Sequence, residues 1–261
     1  MTASNPVVSV IMPAYNTADF IAESIESVLS QRFTQWELLI VNDCSTDNTL
    51  AVIQPYLTDK RIVLLNNEQN LGGAGSRNKA IAAAKGRYLA FLDADDIWTT
   101  DKLEKQIAFM QQHKLGFSFT GYTTMTEDGQ ALDPLAVPAK IRFSQLLKHN
   151  YIGCLTAIYD TEPFGKIYMP LVRKRQDFAL WLELLKRFDF AWGINTNLGF
   201  YRIRAGSLSA SKIDAFKFYW RVLREVAGCN WFTASYNLCC YLAIVFLKKK
   251  CSAFYNRVFI R

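Results

Sequence analysis

Along the first half of the chain, short apolar runs alternate with longer stretches whose apolar residues recur every three or four positions. The runs Val7–Met12, Glu37–Val41, Arg61–Leu65 and Arg87–Leu92 read as strands, with Gly116–Thr120 as a fifth. Helical patterning covers roughly Ala18–Gln31, a stretch beginning around Thr46 that Ser45 or Thr46 can cap, Ala74–Ala84 and Asp101–His113. Strand–helix alternation at this spacing predicts right-handed crossovers and a mostly parallel sheet. From Thr120 to Pro170 the pattern is irregular and turn-rich, as suits loops that carry specificity on a rigid scaffold. A helix is expected near Gln176–Arg187. Beyond it, Ile213, Phe216, Tyr219, Trp220, Leu223 and Val226 fall on one helical stripe.

The fourth strand carries the most pointed chemistry. Leu89–Leu92 is continuously apolar, the pattern of a strand buried on both faces, and Asp93, Asp95 and Asp96 follow at once. Carboxylates cannot stay ionised in such a core without a partner or a metal, so they belong at the strand's exit. Ligands of open α/β sheets bind at strand carboxyl ends, where such acids can hold a hard divalent cation and with it a phosphate. An acidic turn or a helix N-cap is the simpler alternative. The other polar clusters fall into the same register. Pro13-Ala14-Tyr15-Asn16 follows strand one, Asn42-Asp43 follows strand two, and Asn66 to Gly75 follows strand three, so all four converge on one rim.

Composition narrows the classes. The 261 residues, 51% hydrophobic and 14% aromatic, suffice for one large domain or a domain with an appendage. The net charge of +7 belongs wholly to the segment after Ala210: from Lys212 onward nine basic residues face Asp214 and Glu225, whereas residues 1–211 are neutral. That distribution argues against nucleic-acid binding and for a tail that meets an anionic surface. Six cysteines without C-x-x-C spacing and two histidines give no zinc signature. No charged and apolar leader is visible at the N-terminus, so the expected location is the cytoplasm.

Taken together, Val10-Ile11-Met12-Pro13-Ala14-Tyr15-Asn16, Val41-Asn42-Asp43-Cys44-Ser45-Thr46-Asp47, Asn70-Leu71-Gly72-Gly73-Ala74-Gly75-Ser76-Arg77-Asn78 and Leu92-Asp93-Ala94-Asp95-Asp96 resemble the family 2 glycosyltransferases over about residues 7–210. That resemblance implies a GT-A fold, α/β and Rossmann-like with a mostly parallel sheet flanked by helices, spanning 1–211. A helical C-terminal extension over 212–261 would follow. It implies an inverting transferase that moves a sugar from a nucleotide-sugar donor, expected to be a UDP-sugar, to a hydroxyl of a glycan acceptor. By the match, Pro13, Ala14, Tyr15, Asn16 and Asp43 line the nucleobase pocket, and Asn70, Gly72 and Arg77 contact the nucleotide. Asp43, Ser45 and Asp47 would otherwise form a turn and cap a helix, and Arg77 would be a solvated helix arginine. Asp93 and Asp95 match the D-x-D motif: Asp95 binds Mg²⁺ or Mn²⁺, Asp93 contacts ribose or the metal, and Ala94 lies between them. Asp96 would orient the loop or start the next helix.

Arg175-Gln176-Asp177-Phe178-Ala179-Leu180-Trp181 resembles the family's Glu-Asp-x-x-x-Trp signature, which makes Asp177 the general base; Gln176 replaces the usual Glu. Asp177 is also a favourable acid at a helix N-terminus. Tyr201-Arg202-Ile203-Arg204-Ala205-Gly206-Ser207-Leu208-Ser209 resembles the segment that closes over the diphosphate. There Arg204 replaces a His; a guanidinium cannot ligate a cation but pairs with phosphate.

Trp231–Leu247 is apolar and aromatic and ends in Lys248-Lys249-Lys250. It is shorter than the roughly 20 apolar residues of a bilayer span. It reads as an interfacial anchor on anionic lipid at the inner face of the cell membrane, or as a helix packed on protein. A membrane-seeking tail suits a lipid-linked acceptor in cell-surface polysaccharide biosynthesis. Two other classes are a sugar-nucleotide nucleotidyltransferase, which should open with a basic Gly-rich loop after strand one, and a non-catalytic nucleotide- or glycan-binding relative.

Overall fold

The computed structural model describes residues 6–204, 212–250 and 260. Four parallel strands come first in the chain: β1 (Val8–Ala14), β2 (Trp36–Asn42), β3 (Ile62–Asn66) and β4 (Tyr88–Phe91), in the order β3-β2-β1-β4. They are joined by α1 (Ile21–Leu29), α2 (Thr49–Ile53) and α3 (Gly72–Ala83). Alternate residues of these strands feed two cores: Val8, Val10 and Met12 pack against α1, while Ile11, Leu39 and Val41 face α3. Two-sided burial explains their continuous apolar runs. Pro13 is tolerated in this central strand because the ladder with β4 ends at Ile11, two residues earlier.

The other half of the sheet departs from the parallel expectation. It contains β5 (Ile97–Trp98), α4 (Lys102–Gln112), β6 (Phe117–Met125), β7 (Ala131–Leu135), β8 (Lys140–Ile141), α5 (Phe143–Leu146), β9 (Ile158–Asp160), α6 (Gln176–Leu185) and β10 (Ala191–Arg202). Strand β9 inserts antiparallel between β4 and β6, β10 runs parallel to β6, and β5 pairs antiparallel with β10. The sheet is therefore mixed. Strand β10 escapes the apolar pattern because Asn195, Thr196 and Asn197 interrupt it where the register with β6 shifts. Helix α2 starts later than expected, since Ser45 stays in the rim loop and accepts a hydrogen bond from the Asn16 amide (3.2 Å). Asp47 does the local capping, accepting from the Thr49 amide at 3.0 Å and also from Ala18 at 3.1 Å.

After β10 come α7 (Lys212–Arg221), a π-helical turn over Val222–Val226, and α8 (Trp231–Lys250). Tyr219, Val222, Leu223, Ala234 and Leu238 join the same core as α6. Of the sequence stripe, Tyr219 and Leu223 are fully buried and Phe216 is exposed; the side chain of Ile213 lies outside the described residues. Helix α8 extends beyond the apolar run seen in the sequence. At 1.5 Å per residue its 20 residues span about 30 Å, and by length and composition alone it is sufficient to cross a membrane.

One buried charge site stands apart from the rim. Lys102 is fully buried in the α4 core, with its ammonium 2.5 Å from Gln106 Oε1 and 4.6 Å from the Trp98 ring centroid. Burial lowers its pKa from 10.5 to about 7. Between those values the unfolded chain binds one proton more than the folded chain, so stability rises with pH across that window. Lys102→Met is expected to be more stable than the parent at pH 7 by on the order of 2–4 kcal/mol. The difference should shrink by pH 10 in paired chemical-denaturation curves.

Candidate active site

The carboxyl ends of β1 to β4 meet at one rim through their polar termini. Asn42 Nδ2 donates to Asn66 Oδ1 (3.1 Å), and the Asp43 amide donates to the Ala14 carbonyl (2.9 Å). Pro13 and Ala14 are the last residues of β1 rather than a loop beyond it. Tyr15 stands half exposed, and Asn16 adopts a left-handed backbone (φ 51°) that lets its Oδ1 accept from the Thr46 amide at 2.8 Å.

Asp43 sits one layer behind the rim, 3% exposed. A carboxylate at that depth needs donors. It finds them in Asn67 Nδ2 (2.7 Å) and the amides of Leu71 and Gly72 (2.8 Å each). Asn70 adds a bond from Nδ2 to the Asp43 carbonyl at 3.1 Å. Gly72 has φ +69°, which a side chain would resist. Asp43 and Asn70 thus shape the loop that opens α3. The Gly-rich run is itself the first turn of that helix. A Cβ on Gly73 would lie 2.9 Å from both Arg77 Nη1 and Gln176 Oε1, so glycine leaves room for α3 and α6 to meet there.

Arg77 projects from α3 to ion-pair with Asp93 and donates to Gln176 Oε1 at 3.1 Å. Burial opposes its charge, but Asp93, Cys154 and Asp177 together outweigh burial and raise its pKa. Arg77 is therefore no solvated helix arginine. Cys154 Sγ lies 3.9 Å from Asp93 Oδ1, and burial, then the Asp93 charge, pushes its thiol well up.

The other two acids are held from the end of β10 and the residues just beyond it. Arg204 Nη1 pairs with Asp95 Oδ2 at 3.0 Å, stacked 4.5 Å from the Phe20 ring centroid. Arg202, expected at the nucleotide, is 3% exposed, and its guanidinium is committed to the protein. It donates to the Asp95 carbonyl (2.9 Å), the Glu127 carbonyl (2.7 Å) and the Glu23 carboxylate (2.5 Å). Its backbone amide donates to Asp96 Oδ1 at 3.0 Å. Asp96 is buried and orients this loop; it does not start a helix, because β5 follows and α4 begins at Lys102. Burial and the adjacent Asp95 and Asp93 charges raise its pKa well above the usual range. Burial and the Asp93 charge raise Asp95 too. Ala94 is buried between them. Ser207 and Ser209 lie outside the described residues.

Asp177 enters from the first turn of α6. Burial raises its pKa, and it feels the charges of Arg77, Asp93 and Arg175. Asp93, Asp177 and Arg77 therefore share one electrostatic site although 84 residues separate the two acids in sequence. Glu23, Asn67 and Cys154 also belong here, with no local motif to announce them; only their spatial partners do.

The donor set suits a hard divalent cation. Asp93 and Asp95 offer carboxylate oxygens, each side chain about a quarter exposed, and their mutual repulsion is the kind a cation relieves. No third His, Cys, Asp or Glu joins them among the described residues, so water and diphosphate oxygens would have to complete the shell.

Comparison with known proteins bears on the family and the fold. Residues 9–159 match the family described as Glycosyl transferase family 2. TuaG of Bacillus subtilis (strain 168), a glycosyltransferase assigned provisionally to teichuronic acid biosynthesis, is 46% identical over 90% of this chain and 94% of its own. Escherichia coli WfgD, named a UDP-Glc:alpha-D-GlcNAc-diphosphoundecaprenol beta-1,3-glucosyltransferase, is 40% identical over 84% of this chain and 86% of its own. Among solved structures, S. aureus TarS 1-349 in complex with UDP-GlcNAc superposes with a TM-score of 0.71 at 20% identity, covering 93% of this chain and 74% of that one. The fold is that of the GT-A enzymes, and the chain belongs to glycosyl transferase family 2.

Proposed function

We propose that this glycosyltransferase moves a sugar from a UDP-sugar, with inversion, to a hydroxyl of a lipid-linked glycan during assembly of a cell-surface polysaccharide. The observation that carries the reading is the pair of ion pairs Arg77–Asp93 and Arg204–Asp95 at the mouth of the parallel sheet. Each couples a phosphate-seeking guanidinium to a cation-seeking carboxylate. A nucleoside diphosphate with a divalent cation brings both opposite charges and can exchange into both pairs. UDP-GlcNAc in TarS and UDP-Glc in the name of WfgD support uridine as the nucleoside, and the diphosphoundecaprenol in that name supports a lipid-linked acceptor.

Asp95 and Asp93 would hold Mg²⁺ or Mn²⁺. When bound, the cation supplies charge stabilisation for the departing nucleoside diphosphate. Pro13, Ala14, Tyr15 and Asn16 would flank the nucleobase, while Asp43, Asn70 and Gly72 set the loop beneath it. Arg202 fixes the Asp93–Asp96 loop, and Arg204 would release Asp95 to reach a phosphate. Asp177 takes the proton of the acceptor hydroxyl as that oxygen attacks the anomeric carbon. Burial, by raising its proton affinity, makes it a stronger base than an exposed carboxylate. A single displacement needs no covalent nucleophile and inverts the carbon.

A two-part organisation, a catalytic unit over 1–211 and a basic extension over 212–261 that carries α7 and α8, fits a peripheral enzyme at the inner face of the cell membrane. On α8, Ala234, Asn237, Leu238 and Ile244 pack inward, whereas Trp231, Phe232, Tyr236, Leu242, Val245 and Phe246 face outward. With one face docked on the protein, the helix suits the plane of an anionic interface better than a span. Lys248, Lys249 and Lys250 follow the apolar face in sequence; Arg257 and Arg261 lie outside the described residues.

Calorimetric titration of UDP, GDP, dTDP and CMP with Mn²⁺ is expected to single out UDP, and Asp95→Asn should weaken UDP at least about tenfold. Tighter binding of another nucleotide would reassign the donor. Asp177→Asn should lower kcat by roughly 10²–10⁴-fold while UDP affinity stays within about twofold. In the parent enzyme, kcat should fall with acid at a pH above the ordinary carboxylate value, because the raised group is protonated sooner. The full chain should float with vesicles containing phosphatidylglycerol, and Phe232→Ser with Phe246→Ser should leave it in the soluble fraction.

A further inference from the structure

Helix α6 begins without the usual device. A helix N-cap normally has extended backbone and a short oxygen-bearing side chain. Here the position is Arg175, with left-handed backbone (φ 61°, ψ 35°) and no side-chain cap. Such a conformation is unfavourable for an L side chain and persists only where the surroundings impose it.

The surroundings come from α7 and α8. Arg175 Nη2 donates to Tyr241 Oη at 2.9 Å, and its guanidinium lies 5.1 Å from the Tyr219 ring centroid and 5.4 Å from that of Tyr241. Those two rings stack at 4.3 Å. Tyr219 stacks in turn on Phe178, 5.1 Å away and within 5° of parallel, and its hydroxyl donates to the Leu147 carbonyl at 2.5 Å. Phe178 and Tyr219 are fully buried. Rings from α6, α7 and α8 thus form one column, and the residues on either side of Gln176-Asp177 are both fastened to it. Arg175 is fastened by its guanidinium, and Phe178 by its ring. On the opposite side Gln176 accepts from Arg77.

We propose that Tyr241 is a positioning residue for the transfer reaction: through Arg175 and the Phe178–Tyr219 stack, it fixes the first turn of α6 and with it the carboxyl of Asp177. The inference rests on Asp177 being the base. Among the described residues the hydrogen bond and ring contacts of Tyr241 go to Arg175, Tyr219 and His149 and not to the rim acids, so its effect on catalysis is geometric. It also ties the helix that carries the outward apolar face to the catalytic carboxyl.

Steady-state kinetics with a UDP-sugar and hydrogen exchange on the same full-length proteins test this. Tyr241→Ala is expected to lower kcat by at least about tenfold while donor KM and UDP affinity stay within about twofold, because a small misplacement of the base affects only the chemical step. Tyr241→Phe keeps the ring column and should stay within about threefold of the parent. Arg175→Ala should lower kcat as well, by at least as much as Tyr241→Ala, because its charge also reaches Asp177. The double variant should be no slower than the slower single one, since the two side chains act through their shared contact. Independently of activity, the amides of Gln176–Ala179 should exchange faster in Tyr241→Ala and Arg175→Ala, with β1 to β4 unchanged. Unaltered exchange there overturns the proposal, as does a Tyr241→Ala enzyme of parental kcat or multiplicative losses in the double variant. An Asp177→Asn enzyme of parental kcat, with the exchange difference still present in Tyr241→Ala, would instead remove the assignment of Asp177 as base.

Discussion

Everything at the rim depends on neutralising the acids that follow β4. A strand buried on both faces delivers Asp93, Asp95 and Asp96 into a region too dry for three free carboxylates. Nothing adjacent in sequence can compensate them. Arg77 must come from α3, and Arg202 and Arg204 from the end of β10, more than 100 residues further along. That demand places the end of the long β10 strand beside the fourth parallel strand's exit, with Glu23 of α1 closing the far side of Arg202. The mixed half of the sheet is the route by which the chain brings those arginines back.

The same ion pairs give the site its chemistry. Buried pairs are costly to form, and their net stabilisation is small even where breaking them is expensive. Here each lies at an opening, so a ligand bearing both signs can replace the internal partners without leaving a charge stranded. Asp43 and Asp96 differ from Asp93 and Asp95 in this respect. Asp43 is held from within by the Leu71 and Gly72 amides and by Asn67, Asp96 accepts from the Arg202 amide through one oxygen, and both shape loops. Four acids of similar appearance in the sequence therefore divide into two that build the rim and two that face its mouth.

The C-terminal helices extend the argument away from the nucleotide. Helices α7 and α8 contribute to the core that buries α6, and their aromatic column meets the helix start that carries Asp177. A helix capped by an arginine in left-handed conformation draws its definition from its neighbours. Asp177, the proposed base, and its supports lie beyond residues 9–159, the stretch that matches the family.

Much of this was legible in the chain itself. Period-two and continuous apolar runs report local burial, so the four parallel strands, their helices and the polar residues at their exits could be located to within a few residues. Asp93, Asp95 and Asp177 could be named as candidates because carboxylates are the residue type that a cation or a proton transfer calls for, and the structure gathers Asp93 and Asp177 around Arg77. Tertiary structure decided what local pattern cannot carry. It inserted β9 between β4 and β6, and it hid β10 behind three polar residues at a register shift. It buried Arg202 and Asp43 behind the rim, and it assigned Glu23, Asn67, Cys154 and Tyr241 their partners. The physical reason is the same throughout: periodicity records whether a side chain faces water. Which charge neutralises which, and which ring supports which helix, is settled only when segments far apart in sequence compete for the same buried space.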